Sequence, residues 1–464
     1  MTLVIVSIIL LAYLLLATER VTNINKAAVA IFAAAVCWVL YVSYGSDFVM
    51  DRYPEVYQEL LRYGDHPSQL VKQYIASSIF LPYVGKACEI VLFLLATMTI
   101  VEILNNNGCF DFVTQLLRTR NSKRMLWMLS LCTFVISANL DNLTTTVMML
   151  MMMHKIIPQR RQRMIFGSAI LLAANCGGVF TVIGNPEGLL LWNDGAVTAT
   201  DYSMTLLIPC LFAWLLPTWW IGRMLPEHVD TESIVMPYRG DDTRLNVWQR
   251  LLMLFVGIGG LWFIPTFHNI TKLSPFLGAL CVLAILWIVN EMFNRKLMNA
   301  DVMIQRTIPR VLQYGVVQMI LFVVGIMLAL GVVKETGILD ACWDIIEREI
   351  HNVWVLGILA GLMSTVIDNF AVAASFFSLP QVIDAHTEVG NIWETNFLQN
   401  GIYWKVIAYM VVACGDVLTI GSISGFALMR MERMHVTWYF RNIGWKALVG
   451  TLLGLCYLWV VITF

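Results

Sequence analysis

Apolar residues form long unbroken runs along this chain, and the polar residues gather between them. A helix needs about 20 apolar residues to cross a bilayer. Ten runs qualify, the first only just: 1–17, 26–43, 86–104, 164–192, 203–225, 248–268, 275–294, 313–333, 402–430 and 442–463. Two more apolar stretches, 125–153 and 352–380, differ in kind, because each carries an acid near its middle: SANLDN at 137–142 and STVIDN at 364–369. An ionisable group at that position is costly in a membrane unless it is paired or used.

Composition narrows the class further. With 464 residues, 59% hydrophobic and only 13% charged, the chain is expected to be an all-α polytopic membrane protein, integral and multi-pass. A net charge of −1 offers nothing to nucleic acid, so the lipid bilayer is the expected surroundings. Residues 1–17 lack a cationic start and a small-residue cleavage site, so they read as an uncleaved first helix. There is no HExxH, GxSxG or nucleotide-binding loop, hence no enzyme and no cofactor is expected. The ten cysteines form no CxxC pair, the seven histidines are scattered singly, and the run MMLMMM (148–153) reads as a flexible apolar arm.

Lys and Arg then set the topology. Segments 117–124, 154–163, 295–310 and 430–446 are basic, whereas 193–202 and 381–401 contain no Lys or Arg, so the first group is expected on the cytoplasmic side. Residues 125–153 would then begin and end in the cytoplasm, and 352–380 would begin and end outside. Each is expected to be a re-entrant hairpin whose polar tip is buried in protein or lines a wet cavity. Ten spans put both termini outside.

The chain also repeats itself. EIVLFLLATMTIVEILNNNGCFD (89–111) aligns on QMILFVVGIMLALGVVKETGILD (318–340), S-x-x-[LI]-D-N recurs 227 positions apart, and NCGGVFTVIGN (175–185) aligns on ACGDVLTIGS (413–422) with a one-residue gap. Opposite orientation of the copies predicts an inverted repeat. The expected divisions are N-terminal scaffold helices and an external loop (1–85), a first repeat (86–225; hairpin 125–153, broken helix 164–192), a cytoplasmic linker (226–250) and a second repeat (251–464; hairpin 352–380, broken helix 402–430).

Glycines interrupt both expected broken helices, and interrupted helices turn backbone carbonyls and amides toward a midplane site. Side-chain oxygens come from Asp141, Asn142, Thr145, Asp368, Asn369, Thr181, Asn185, Thr419 and Ser422. Such a set suits a hard cation such as sodium, and a carboxylate among them can also hold a proton. Asp416, beside one break, and Glu187, two residues after Asn185, are further candidates. Glu89 is expected to be structural, Glu102 either solvated or on a proton path, and Glu19 and Lys26 are expected to serve topology or dimer contacts.

At ISANLDNLTTT, GG-x-x-T-x-IGN, STVIDN and LTIGSISGFALM-x-MERMHVTWYFR the sequence resembles the NhaD-type sodium/proton antiporters of the ion-transporter superfamily, which also holds divalent-anion/sodium symporters. ATERVTNINKAAVA (17–30) and EIVLFLLATMTIVEIL (89–104) share the likeness, which runs from about 17 to 445. The resemblance implies a homodimeric elevator exchanging sodium or lithium for protons in a bacterial inner membrane. It places the ion at Asp141, Asn142, Asp368 and Asn369, with Thr181 and Ser422 beside them. The alternative on the same scaffold is sodium-coupled symport of an organic or inorganic anion. Two departures stand out: Asn185-Pro186-Glu187 where the family usually has an acid after Ile-Gly, and Gly415-Asp416 where it usually has Gly-Gly. A carboxylate has left one half and entered the other.

Overall fold

The computed structural model describes residues 1–22, 24–62, 67–110, 119, 121–228, 245–294, 310–385, 387 and 390–463. Most of the basic segment 295–310 and of the linker 226–250, together with residues 117, 118 and 120 of the basic segment 117–124, lie outside the described residues. Among those described, the chain is helical apart from two isolated bridges. Nine of these helices are long and apolar enough to cross a membrane, so this is an integral multi-pass membrane protein. The tenth expected span, α1 (Thr2–Ala17), has 16 residues. That is about 24 Å of helix, short of a hydrocarbon core of about 30 Å. The stretch expected as an external loop is helical instead, with Gly45–Arg52, Pro54–Arg62 and Pro67–Tyr74. Gly45, Pro54 and Pro67 stand at the starts of these helices, where both residue types are tolerated.

The helices that frame the site and its surroundings are, in order, α2 (Lys26–Ser43), α3 (Leu81–Asn106), α4 (Ser122–Ser137), α5 (Asn142–Ile156), α6 (Arg160–Phe180), α7 (Pro186–Asn193) and α8 (Ala199–Gly222). They continue with α9 (Gly260–Thr271), α10 (Pro275–Asn294), α11 (Arg310–Glu335), α12 (Ile338–Glu349), α13 (Val353–Ser364) and α14 (Asn369–Phe377). The chain ends with α15 (Ile402–Leu418), α16 (Ile423–Glu432) and α17 (Trp445–Thr463). Both apolar stretches bearing an acid are thus pairs of helices broken at the acid, and both glycine-rich runs are interrupted helices, at 181–185 and 419–422.

Capping chemistry fixes where these breaks fall. Asn121, Asp141, Asn185, Asn352, Asp368 and Ser422 each precede a helix and accept a bond from one of its first backbone N–H groups. Pro186 follows Asn185 at the first helical position, where its missing N–H costs nothing. In the pair α13–α14, Gly357 packs on Val406 and Tyr403 Oη donates to Phe376 O at 2.8 Å, so the outer ends of both helices lie beside the first turns of α15. The far end of α5 likewise lies on α6, where Gly167 meets Leu150 and Met153. Met148, Met149, Met152 and Met153 are buried, as an apolar arm requires.

Two cores hold the whole together. The larger surrounds α4 to α8 and α13 to α17, and the smaller joins α1, α2 and the last turns of α11. Glu89 ties α3 to the end of α7, accepting from Asn193 Nδ2 at 2.8 Å and Ser274 Oγ at 3.2 Å. Its role here is structural.

Candidate ion site at two helix breaks

Each broken pair meets the interrupted helix that follows it through the same set of contacts. Asn142 N donates to Gly184 O at 3.2 Å, and Asn369 N donates to Gly421 O at 2.9 Å. Ser137 Oγ donates to Ala174 O at 2.6 Å, and Ser364 Oγ to Val411 O at 2.7 Å. The tips sit so close to the breaks that a Cβ on Gly184 would stand 2.8 Å from Ser137 O, while one on Gly421 would overlap Ser364 O. Glycine is required at both positions because backbone faces backbone.

These contacts correct the alignment of the broken helices. Gly178 faces Asn142 as Gly415 faces Asn369, and Gly188 faces Val182 as Gly425 faces Thr419. Gly415 is therefore the counterpart of Gly178, not of Gly177, and no gap is needed between the two segments. Asp416 stands opposite Val179. Thr419, whose φ of 59° bends the chain at the break, stands opposite Val182 rather than Thr181.

Asp141 Oδ2 accepts from Thr144 N at 2.9 Å and Thr144 Oγ1 at 3.1 Å, while its Oδ1 is buried without a hydrogen-bond partner. Thr145 Oγ1, Glu187 Oε2 and Asp416 Oδ2 are buried and unpartnered as well. Four such oxygens, three of them from carboxyl groups, cost free energy in an apolar interior unless something donates to them or ligates them. Thr181 Oγ1 donates to Ala138 O at 2.5 Å and so braces the first tip, and Asn185 Oδ1 accepts from Gly188 N at 2.8 Å as the cap of α7.

A cleft brings the two tips together. Asn142, Glu187, Phe322, Asp368, Asn369 and Gly421 all line it. Beneath the tips, Asn175 joins the halves: its Oδ1 accepts from Asn142 Nδ2 at 3.1 Å, and its Nδ2 donates to Asp416 Oδ1 at 2.6 Å and to Ser422 Oγ at 3.1 Å. Asn369 lies against Ser364, whose one hydroxyl proton is shared between Val411 O and Asn369 Oδ1, the latter at 2.8 Å. The structure thus connects Asn142, Asp416, Ser422, Asp368, Asn369 and Glu187, with Asp141, Thr145, Thr181, Asn185 and Thr419 at the tips and breaks that frame them.

Two residues of the site escaped the sequence. Lys26, expected in topology or dimer contacts, forms an ion pair with Asp368 Oδ2, and its Nζ sits 4.7 Å from the centre of the Phe322 ring. Asn25 caps α2 and accepts from Ala27 N at 2.8 Å, which fixes Lys26 in the first turn. Glu19, in the connection before α2, is raised above the usual carboxylate range by burial, an effect that Lys26 opposes. Asn175 was visible only as the first letter of a repeated motif.

Comparison with known proteins places this sequence among transporters. A family profile described as CitMHS, citrate transporter, matches residues 13–393. The chain is 30% identical over 378 residues to sodium/proton antiporter 1 of Arabidopsis thaliana, covering 80% of this chain but only 61% of that relative. It is 26% identical to sodium/proton antiporter 2 of the same plant, with 96% of each chain covered. To the Na(+)/H(+) antiporter NhaD of Vibrio cholerae it is 24% identical, over 95% of this chain and 87% of the relative.

Proposed function

The chain belongs to the citrate transporter family and is similar to NhaD-type sodium/proton antiporters, and on that footing we propose that it exchanges sodium for protons by carrying them on Asp141 and Asp368. The observation that carries this reading is the pair of capping aspartates, each followed by an asparagine locked to a glycine carbonyl at a helix break. An N-capping carboxylate already accepts from its helix, so a cation or a proton on its remaining oxygen balances the site. Asn142 and Asn369 add amide oxygens, and Thr145, Thr181, Asn185, Glu187, Asp416, Thr419 and Ser422 form the wall around them. Lithium, with the same preference for oxygen, is accepted too.

In this reading 125–153 and 352–380 are re-entrant hairpins entering from opposite faces, and the halves 86–225 and 251–464 are an inverted repeat. The hairpins and broken helices move as one body against a scaffold that includes α1, α2 and α11, as an elevator, in a homodimer seated in a proton-energised membrane such as a bacterial inner membrane.

The family description favours a second reading, sodium-coupled uptake of citrate or another anion. The acids argue against it, since Asp141, Glu187, Asp368 and Asp416 would repel an anion. Proteoliposomes decide. Sodium added outside should drive protons out of the lumen with citrate absent, and potassium should not. Citrate accumulation that needs sodium, with no proton movement, would replace antiport by symport.

A further inference from the structure

We propose that Lys26 is a latch: its ammonium occupies Asp368 when neither sodium nor a proton is bound, tying the scaffold to the moving body until an ion displaces it. The proposal rests on the exchange and the moving body set out above. Its first observation is connectivity. Lys26 opens α2, which packs along α11, whereas Asp368 caps α14 at the second tip. The pair Lys26–Asp368 therefore crosses from one body to the other, and it cannot persist if the tip slides past α2.

The second observation is the asymmetry between the tips. Asp141 has a free buried oxygen, but both oxygens of Asp368 are engaged, Oδ1 by Phe370 N at 3.0 Å and Oδ2 by Lys26. A sodium ion reaching Asp368 must take the place of the ammonium. The displaced ammonium still has the Phe322 ring at 4.7 Å, which compensates a cation partly but not as well as a carboxylate does. The other ionisable groups around the pair are Glu19 before α2, Glu187 on α7 and Tyr13 on α1. Glu19, in the connection between α1 and α2, offers the freed ammonium an alternative acid on its own body.

The consequence is a rule for coupling. An exchanger that moves while empty lets one ion run downhill without the other, so the empty state has to be held. An ion lowers the barrier here only because it binds the released state better than the latched one. Sodium and the proton each neutralise Asp368, and each would undo the same ion pair.

Three variants in proteoliposomes and in detergent test the latch. The parent is assayed first, and absence of sodium-driven proton movement in it would remove the exchange reading itself. With exchange established in the parent, Lys26→Gln should bind sodium at least tenfold more tightly and leak sodium at least tenfold faster when no pH gradient is present. Lys26→Arg keeps the charge and should leak less sodium than Lys26→Gln. Phe322→Leu removes the ring beneath the ammonium without touching a charge and should shift sodium affinity about two- to threefold. That variant reads the same equilibrium if Lys26→Gln does not fold. Sodium affinity and leak in Lys26→Gln equal to the parent's, or an unchanged affinity in a folded Phe322→Leu should Lys26→Gln fail to fold, would overturn the proposal.

Discussion

The two tips share a plan and differ in how their acids are balanced. Each has an aspartate capping a helix, an asparagine bonded to a glycine carbonyl, and a serine bonded to the helix that follows. At the first tip, Asp141 leans on Thr144 alone and leaves an oxygen over. At the second, Lys26 supplies a full counter-charge. The first tip also adds Glu187 after its break, whereas the second break places Asp416 before it and serine at 424. The same backbone frame thus carries one acid that waits for a partner and one that already has one, which makes the second the natural place for control.

The sharpest way to break the comparison is to ask whether the tips face opposite sides. With the exposed cysteines 88, 281, 342 and 456 replaced by serine, cysteines at Lys123 and Gln159 should both label from the cytoplasm, and those at His351 and Ile392 both from outside. Labelling of one pair from opposite sides would remove that hairpin.

Stability should separate the acids next. Asp368→Asn strands the part-buried Lys26 ammonium and should cost about 2 kcal/mol, somewhat less than breaking one side of a fully buried pair. Asp141→Asn keeps its shape and strands no charge, so about 1 kcal/mol or less is expected. Thermal unfolding in detergent measures both, and the double variant Lys26→Gln with Asp368→Asn should recover most of the loss. Equal melting temperatures for the two single variants would contradict the asymmetry.

Glycine substitutions give a smaller contrast of the same kind. Gly421→Ala should lose about 2–3 kcal/mol because its Cβ meets Ser364 O head-on, and Gly184→Ala about 1 kcal/mol less. Asn175→Ala should lose about 1–2 kcal/mol for amide bonds lost to Asn142, Asp416 and Ser422. Its effect on exchange should exceed its effect on stability, since it leaves Asp416 wholly unpaired. Exchange within twofold of the parent would make Asp416 a bystander.

Much of this frame was legible in the sequence because it violates the pattern around it. An Asp-Asn pair inside CTFVI and VMMLMMM, or a cluster of glycines inside an apolar run, stands out against its surroundings, and both fall at helix breaks. In the long alignment the matched glycines, Gly108 and Gly337, both adopt positive φ, 67° and 74°. The gap in the shorter alignment was misplaced because Cys-Gly recurs on both sides of the equivalence, and only contacts distinguish Gly177 from Gly178. Lys26 was misjudged because it stands at the edge of an apolar run, where a lysine ordinarily marks topology. Its partner is 342 residues away, a distance over which sequence pattern carries no signal.

Sodium-driven proton movement in proteoliposomes carrying the parent, Asp141→Asn and Asp368→Asn side by side tests the central claim most directly. Rapid exchange is expected in the parent and at least a hundredfold loss in each variant, with folded protein recovered in both cases. Exchange at near-parent rates in both variants would place the ion on other groups and contradict the account.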